Sequence, residues 1–143
     1  MKIELKNGIG KLLFGMKESD VKSIYGEPDR KYRDEDKNAI YLYNDKKLRL
    51  TFYQDEDMRL GYIITSSPDA ELFERKVIGA GWGQLLPDLQ GKGMKSFENE
   101  NFDTVDNYFN EANWVIFQVE FGDVIRVEVG AIINAKDEFD WKF

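Results

Sequence analysis

The chain contains no cysteine and no histidine. That double absence removes the Ser-His-Asp and Cys-His nucleophiles, an imidazole acid or base near neutral pH, and zinc sites built from Cys and His. It also removes any disulfide framework, so cysteine usage leaves the redox compartment unconstrained. Carboxylate chemistry survives, but no spacing of Asp or Glu predicts a converging acid–base pair. The expectation is a protein that is not an enzyme and holds no cofactor or metal. Long apolar runs are missing too. No segment approaches the ~18 apolar residues of a membrane span, and Met1–Asn7 alternates apolar and polar instead of forming a signal core. The expected location is the cytoplasm, with no membrane partner.

Positive charge is scarce in one half. Residues 1–76 carry 15 basic and 15 acidic side chains, whereas residues 77–143 carry 5 and 12, so the net −7 belongs to the second half. Between Lys95 and Arg126 there is no basic residue at all, while Glu98, Glu100, Asp103, Asp106, Glu111, Glu120 and Asp123 fall in that stretch. A field of this sign repels nucleic acid and anionic lipid and steers basic partners inward. The plain alternative is a solvated face that keeps the chain in solution.

What is present suits one folded domain. The 143 residues are 42% hydrophobic, 14% aromatic and 33% charged, and a chain of this size buries roughly two thirds of its unfolded surface without staples. Lys2–Leu5 reads as a strand. Val21, Ile24 and Tyr25 fall at helical spacing, with Gly26 and Pro28 as the stop. Arg30–Lys37 reads as a charged loop or edge. Ile40–Tyr43, the alternating Leu48, Leu50 and Phe52, and a return strand with Leu60, Tyr62 and Ile64 as its inward face read as three strands separated by polar turns. Ala70–Lys76 is expected to form one helical turn.

The second half follows the same order. Leu85, Leu86 and Leu89 mark a helix near Gln84–Gln90, which Pro87 fits only in its first turn. Asp106–Glu111 echoes Tyr41–Asp45. Val115, Phe117, Val119 and Phe121 form the next strand, and Ile125, Val127 and Val129 return after a Gly122-Asp123 turn. The expected fold is α+β: two similar helix-plus-antiparallel-hairpin repeats, residues 1–76 and 77–143 of a single domain, with the helices on one side of a mainly antiparallel sheet.

The run Gly10-Lys11-Leu12-Leu13-Phe14-Gly15-Met16-Lys17-Glu18-Ser19-Asp20-Val21, closed by Tyr25-Gly26-Glu27-Pro28-Asp29, is similar to the repeats of the beta-lactamase inhibitor protein and of the small lipoprotein of the outer-membrane barrel-assembly machine. The chain more closely resembles tandem-repeat immunity proteins of bacterial toxin loci, including those of contact-dependent growth inhibition. That likeness extends through the tyrosine-rich strand, the acidic hairpin turn and Ser67-Pro68-Asp69-Ala70. It covers about the first 80 residues well and the rest loosely. No lipidation cysteine is present, and Gly91-Lys92-Gly93 stands where the second copy would carry its Gly-x-Pro closure. The resemblance implies an immunity protein that binds and neutralises a cognate toxin domain, with a protein-interaction or regulatory module of the same fold as the alternative. Joined to the acidic stretch, it points to a basic nuclease as that partner.

The expected partner surface comprises Glu98, Glu100, Phe102, Asp103, Asp106, Tyr108, Glu111 and Asp123. Its carboxylates would enter a phosphate-binding cleft and its rings would anchor the contact; the other placement of Phe102 and Tyr108 is the core. Trp114 and Ile116 lie opposite the Val115/Phe117 face, where they form either an exposed apolar patch or a second buried layer. The tail Asp137–Phe143 is expected to dock as a last strand. Asp34-Glu35-Asp36 and Asp55-Glu56-Asp57 lack the ligand spacing of a calcium loop and read as solvated turns. Gly79-Ala80-Gly81-Trp82-Gly83 lacks the ending of a phosphate loop and reads as a close helix–sheet contact.

Overall fold

The computed structural model describes residues 1–143. The chain opens with a small antiparallel sheet of β1 (Ile3–Glu4), β2 (Gly8–Ile9) and β3 (Leu12–Leu13), then α1 (Glu18–Tyr25). The start of α1 is fixed by Asp20, whose carboxylate accepts the Lys17 N–H at 2.9 Å, and acids in its first turn suit the helix dipole. Gly26 ends it at φ 78°, where its N–H returns to the Lys22 carbonyl.

Four strands follow: β4 (Arg30–Arg33), β5 (Ala39–Tyr43), β6 (Leu48–Tyr53) and β7 (Arg59–Thr65). The two-residue strands β8 (Glu71–Leu72) and β9 (Arg75–Lys76) lead to α2 (Trp82–Gly91). Four more strands close the chain: β10 (Glu98–Phe102), β11 (Val105–Asn110), β12 (Val115–Glu120) and β13 (Asp123–Gly130). The eight longer strands form one antiparallel sheet in the order β10-β11-β12-β13-β7-β6-β5-β4. The result is α+β and mostly antiparallel, as the hairpin-length connections predict.

Alternation decides which face is covered. Leu48, Leu50, Phe52, Val115, Phe117, Val119, Val127 and Val129 are buried and share one core cluster with Val21 of α1 and Trp82, Leu85 and Leu89 of α2. Ile3, Ile9, Leu12 and Leu72 from the short strands join the same cluster. Helices and short strands therefore pack on one face of the sheet. The alternate residues, from Glu98 and Glu100 on β10 across to Arg30 and Tyr32 on β4, line the other face, where Phe139 of the tail lies against Tyr53.

Several expectations change. Ala70–Lys76 is not a helical turn but the β8–β9 hairpin, bent by Phe73 and Glu74 at φ 53° and 64°. Glu98–Phe102, to which the sequence pattern assigns no element, is a strand although its Glu-Asn alternation has little β-propensity; it pairs on one side only, an edge where polar residues discourage further pairing. Pro87 is the sixth residue of α2, beyond the first turn, so that helix forgoes one backbone hydrogen bond. The tail docks through a single Ile133–Phe139 bridge and the Lys142 N–H to the Phe14 carbonyl, not as a strand. Two amides of Gly79–Gly83 bond to the β12–β13 hairpin: the Gly79 N–H donates to the Val124 carbonyl and the Trp82 N–H to the Gly122 carbonyl.

Candidate functional site

The open face holds an aromatic groove. The walls of one section, about 310 Å³, are Tyr53, Tyr62, Asn107, Phe109, Trp114 and Ile116, together with Glu98 and Glu100. Tyr53 and Trp114 also wall an adjoining section of about 730 Å³, completed by Glu111, Ala112, Ala131, Ile132, Ile133 and Phe139. The three charged residues of the combined groove are thus Glu98, Glu100 and Glu111, and all three are acids.

Register builds this surface. Phe109 stands opposite Glu98 on one side and Ile116 on the other, and Asn107 stands between Glu100 and Gln118. Trp114 follows a short 3-10 turn, Glu111–Asn113, that Asn110 caps by accepting the Asn113 N–H. Its backbone sits in the left-handed region at φ 50°, ψ 64°, a conformation that bulky residues seldom adopt. There the indole leans edge-on against Phe109 (5.1 Å between centroids) and lies over Gly130, where a Cβ would meet the ring. Gly61 likewise leaves room for the Tyr53 ring. Two glycines in central strands are therefore floors for rings. Trp114 is still 38% exposed, so it is a patch on the uncovered face and not part of a second buried layer.

Tyrosine chemistry on this face follows its burial. Burial pushes Tyr53 up to about 12. Tyr62 is raised further, first by burial and then by Glu128, whose Oε1 accepts its hydroxyl at 2.5 Å. On the helix face burial, then Glu27 and Asp29, pushes Tyr43 up to about 12, and Tyr41 is raised by burial and by Glu18. Each of these hydroxyls holds its proton more tightly in the folded chain than at the ordinary value of about 10. The unfolded chain loses protons first, so stability is full below pH ~10 and falls as pH rises towards 12. Denaturant midpoints measured from pH 8 to 12, with tyrosinate absorbance recorded alongside, should show unfolding and tyrosine ionisation together. Ionisation of all seven tyrosines near pH 10 with the fold intact would contradict this.

The residues expected from sequence fall into separate groups. Glu98 and Glu100 line the groove and Glu111 borders its far section. Phe102, Asp103 and Asp123 gather at the hairpin ends, where Phe102 is 56% exposed beside Phe121 at 85%. Asp106 and Tyr108 face the helices: Asp106 accepts the Asn101 amide at 3.1 Å, and Tyr108 stacks on Trp82 at 4.4 Å. The set is therefore not one continuous surface. Its charge is nonetheless uncompensated. The ion pairs are Lys22–Glu27, Lys31–Glu18, Arg59–Asp57, Arg75–Asp88 and Lys142–Asp140, and none involves an acid between Lys95 and Arg126. No three or more acidic side chains converge as a metal-binding set. The sequence reading missed Tyr53 and Phe109 as groove residues, although strand parity sets them opposite the buried Phe52 and Asn110. It placed Tyr62 and Ile64 inward with Leu60, whereas the register shift between Thr51 and Phe52 buries Leu60 and Ile63 and turns Tyr62 and Ile64 to the open face.

These features define a class: an α+β protein whose eight-stranded antiparallel sheet is covered by helices on one face and bears an aromatic, acid-lined groove on the other. No family model matches the chain and no curated protein matches it. Among solved structures it is similar in fold to an extracellular protein containing an SCP domain from Bacillus anthracis, at 9% identity and a TM-score of 0.52 over 88% of this chain and 49% of that one. It is similar also to a DUF4309 family protein from Bacillus subtilis, at 17% identity and a TM-score of 0.52 over 87% of this chain and 82% of that one. The chain spans about half the length of the first of these. At such identities the likeness is one of fold. No helix is long and apolar enough to cross a membrane.

Proposed function

We propose that this chain is a non-catalytic protein-binding module whose groove seats a cationic, partly apolar segment of a partner protein. Within that class we read it as a cytoplasmic immunity protein that neutralises a bacterial toxin domain, with a basic nuclease cleft as the surface that fits. One observation carries the reading: an uncovered groove of aromatic side chains has Glu98, Glu100 and Glu111 as its charged residues, and no lysine or arginine pairs with them. An arginine inserted there would stack on Trp114 or Tyr53 while its guanidinium reached a carboxylate. The reading takes residues 1–76 and 77–143 as two copies of one unit. Its support is that each helix precedes four strands and that the last strand of each set, β7 and β13, meet at the sheet centre.

The second reading keeps the groove and changes the partner. A similar fold occupies about half of a longer extracellular protein, which favours an interaction module unrelated to toxins. Capture from the source cell followed by kinetics separates the two. Immunity requires a cationic toxin domain whose association slows by at least about tenfold as salt rises from low to 0.5 M, because screening removes long-range steering. A partner with no toxic activity supports the module, and a toxin whose association ignores salt defeats the electrostatic account.

A further inference from the structure

The open face has a second concavity that shares no residue with the groove. It measures about 470 Å³ and lies between the ends of β5, β6, β7 and β13, with Lys47, Arg49 and Arg126 on its walls alongside Ser66, Gln118 and Glu128. None of the three cations belongs to an ion pair. Gln118 fixes one of them: its Oε1 accepts the Arg126 Nε–H at 2.6 Å, and the two terminal nitrogens of that guanidinium have no ion-pair partner. Arg49 of β6 stands in register with Ile64 of β7 and, beyond it, Glu128 of β13, while Arg126 lies two residues further along β13 on the same face, so the two arginine backbones are diagonal neighbours about 12 Å apart across Ile64. Glu128 is the single acid of the lining and already accepts the Tyr62 hydroxyl. Asp34, on the nearby edge, is occupied by the Asp36 and Asn38 amides.

We infer that this concavity is an oxyanion site, taking a phosphate or carboxylate group between the Arg49 and Arg126 guanidiniums with Lys47 as a third cation. A planar fork held by Gln118, with a second guanidinium lining the same concavity, can supply donors to several oxygens of one anion. The three cations outnumber the one carboxylate, so the local field is positive in a chain whose net charge is −7. The open face is accordingly bipolar: anion-seeking between β6 and β13, cation-seeking at β10. A ligand that bridged both would bind in one orientation, and a single-sign face could not impose that choice. This site stands independently of the partner proposed above, and its test needs no partner.

The test is titration of the whole chain, followed through assigned arginine Nε–Hε NMR signals, with inorganic phosphate in one arm and the blocked dipeptide acetyl-Glu-Glu-amide in the other. The signals of Arg49 and Arg126 should shift saturably, while those of Arg59 and Arg75, paired to Asp57 and Asp88, stay in place. The arm that saturates at lower concentration identifies the group as phosphate or carboxylate, and either result upholds the site. In the Arg49→Ala/Arg126→Ala double variant the midpoint should rise at least tenfold; Arg49→Ala alone provides a milder second variant. Both side chains are exposed and outside the core, so the fold should persist. A linear drift common to all arginines, or a midpoint unchanged in the double variant, overturns the inference.

Discussion

Replacing Phe117 with alanine is expected to lower stability by about 3–5 kcal/mol, the usual loss for emptying a buried phenylalanine site. Phe117 is fully buried on β12 and touches two other rings, Trp82 at 5.4 Å and Phe97 at 6.2 Å between centroids. Trp82 in turn stacks on Tyr108. The side chain is therefore, with Tyr108, one of the links between the first turn of α2 and the sheet, and its removal leaves a void bounded by rigid rings that collapse poorly. Domains of this kind are stable by only about 5–15 kcal/mol, so the variant should sit near the edge of folding. Urea denaturation should show a lower midpoint with an unchanged slope, and Trp82 should lose its near-ultraviolet dichroism. Glu100→Gln, on the exposed edge strand, should shift the same midpoint by less than about 0.5 kcal/mol. A small effect at Phe117 would mean that α2 is held by something other than this stack.

Much of the fold was legible because period and punctuation agree. Leu48-Arg49-Leu50-Thr51-Phe52 and Val115-Ile116-Phe117-Gln118-Val119 alternate in a way that only half-buried strands satisfy, and Gly26 with Pro28 stops α1 where the sequence says it should. The failures have physical causes. Glu98–Phe102 carries no apolar alternation because an edge strand is held by backbone pairing to β11 alone, and backbone pairing leaves no trace in side-chain polarity. Phe73 and Glu74 bend the β8–β9 hairpin through left-handed dihedrals that neither residue type announces.

The site was half legible. Charge counting found Glu98, Glu100 and Glu111 but could not separate them from Asp106, which strand parity sends to the helix face. The groove's aromatic walls come from both halves of the chain, Tyr53 and Tyr62 from one and Phe109 and Trp114 from the other. They meet only because β7 pairs with β13. That pairing is a tertiary fact with no local signal. The cations of the second concavity were hidden for the same reason: Arg49 and Arg126 are 77 positions apart and adjoin through the same seam.

Trp114→Gly is expected to cost binding far more than stability, and the reason lies in its backbone. A tryptophan at φ 50° holds about 1–2 kcal/mol of conformational strain that glycine does not share. Loss of the indole removes its contact with Phe109 and uncovers Gly130, which weakens the fold by an amount of the same order. The two effects oppose, so the net change in folding stability should stay within about 1 kcal/mol. Binding has no such offset. The ring is the exposed centre of the groove, and a central aromatic anchor of this kind is worth about 2 kcal/mol or more, roughly 30-fold in Kd. Glu98→Gln/Glu100→Gln should act differently, slowing association at low salt while leaving dissociation less affected, because rim charges steer more than they hold. Calorimetry and stopped-flow kinetics with the captured partner distinguish these signatures. A Trp114→Gly chain that folds normally and binds with unchanged affinity would remove the groove from the interface and move the search to the hairpin ends, where Phe102 and Phe121 stand exposed beside Asp103 and Asp123.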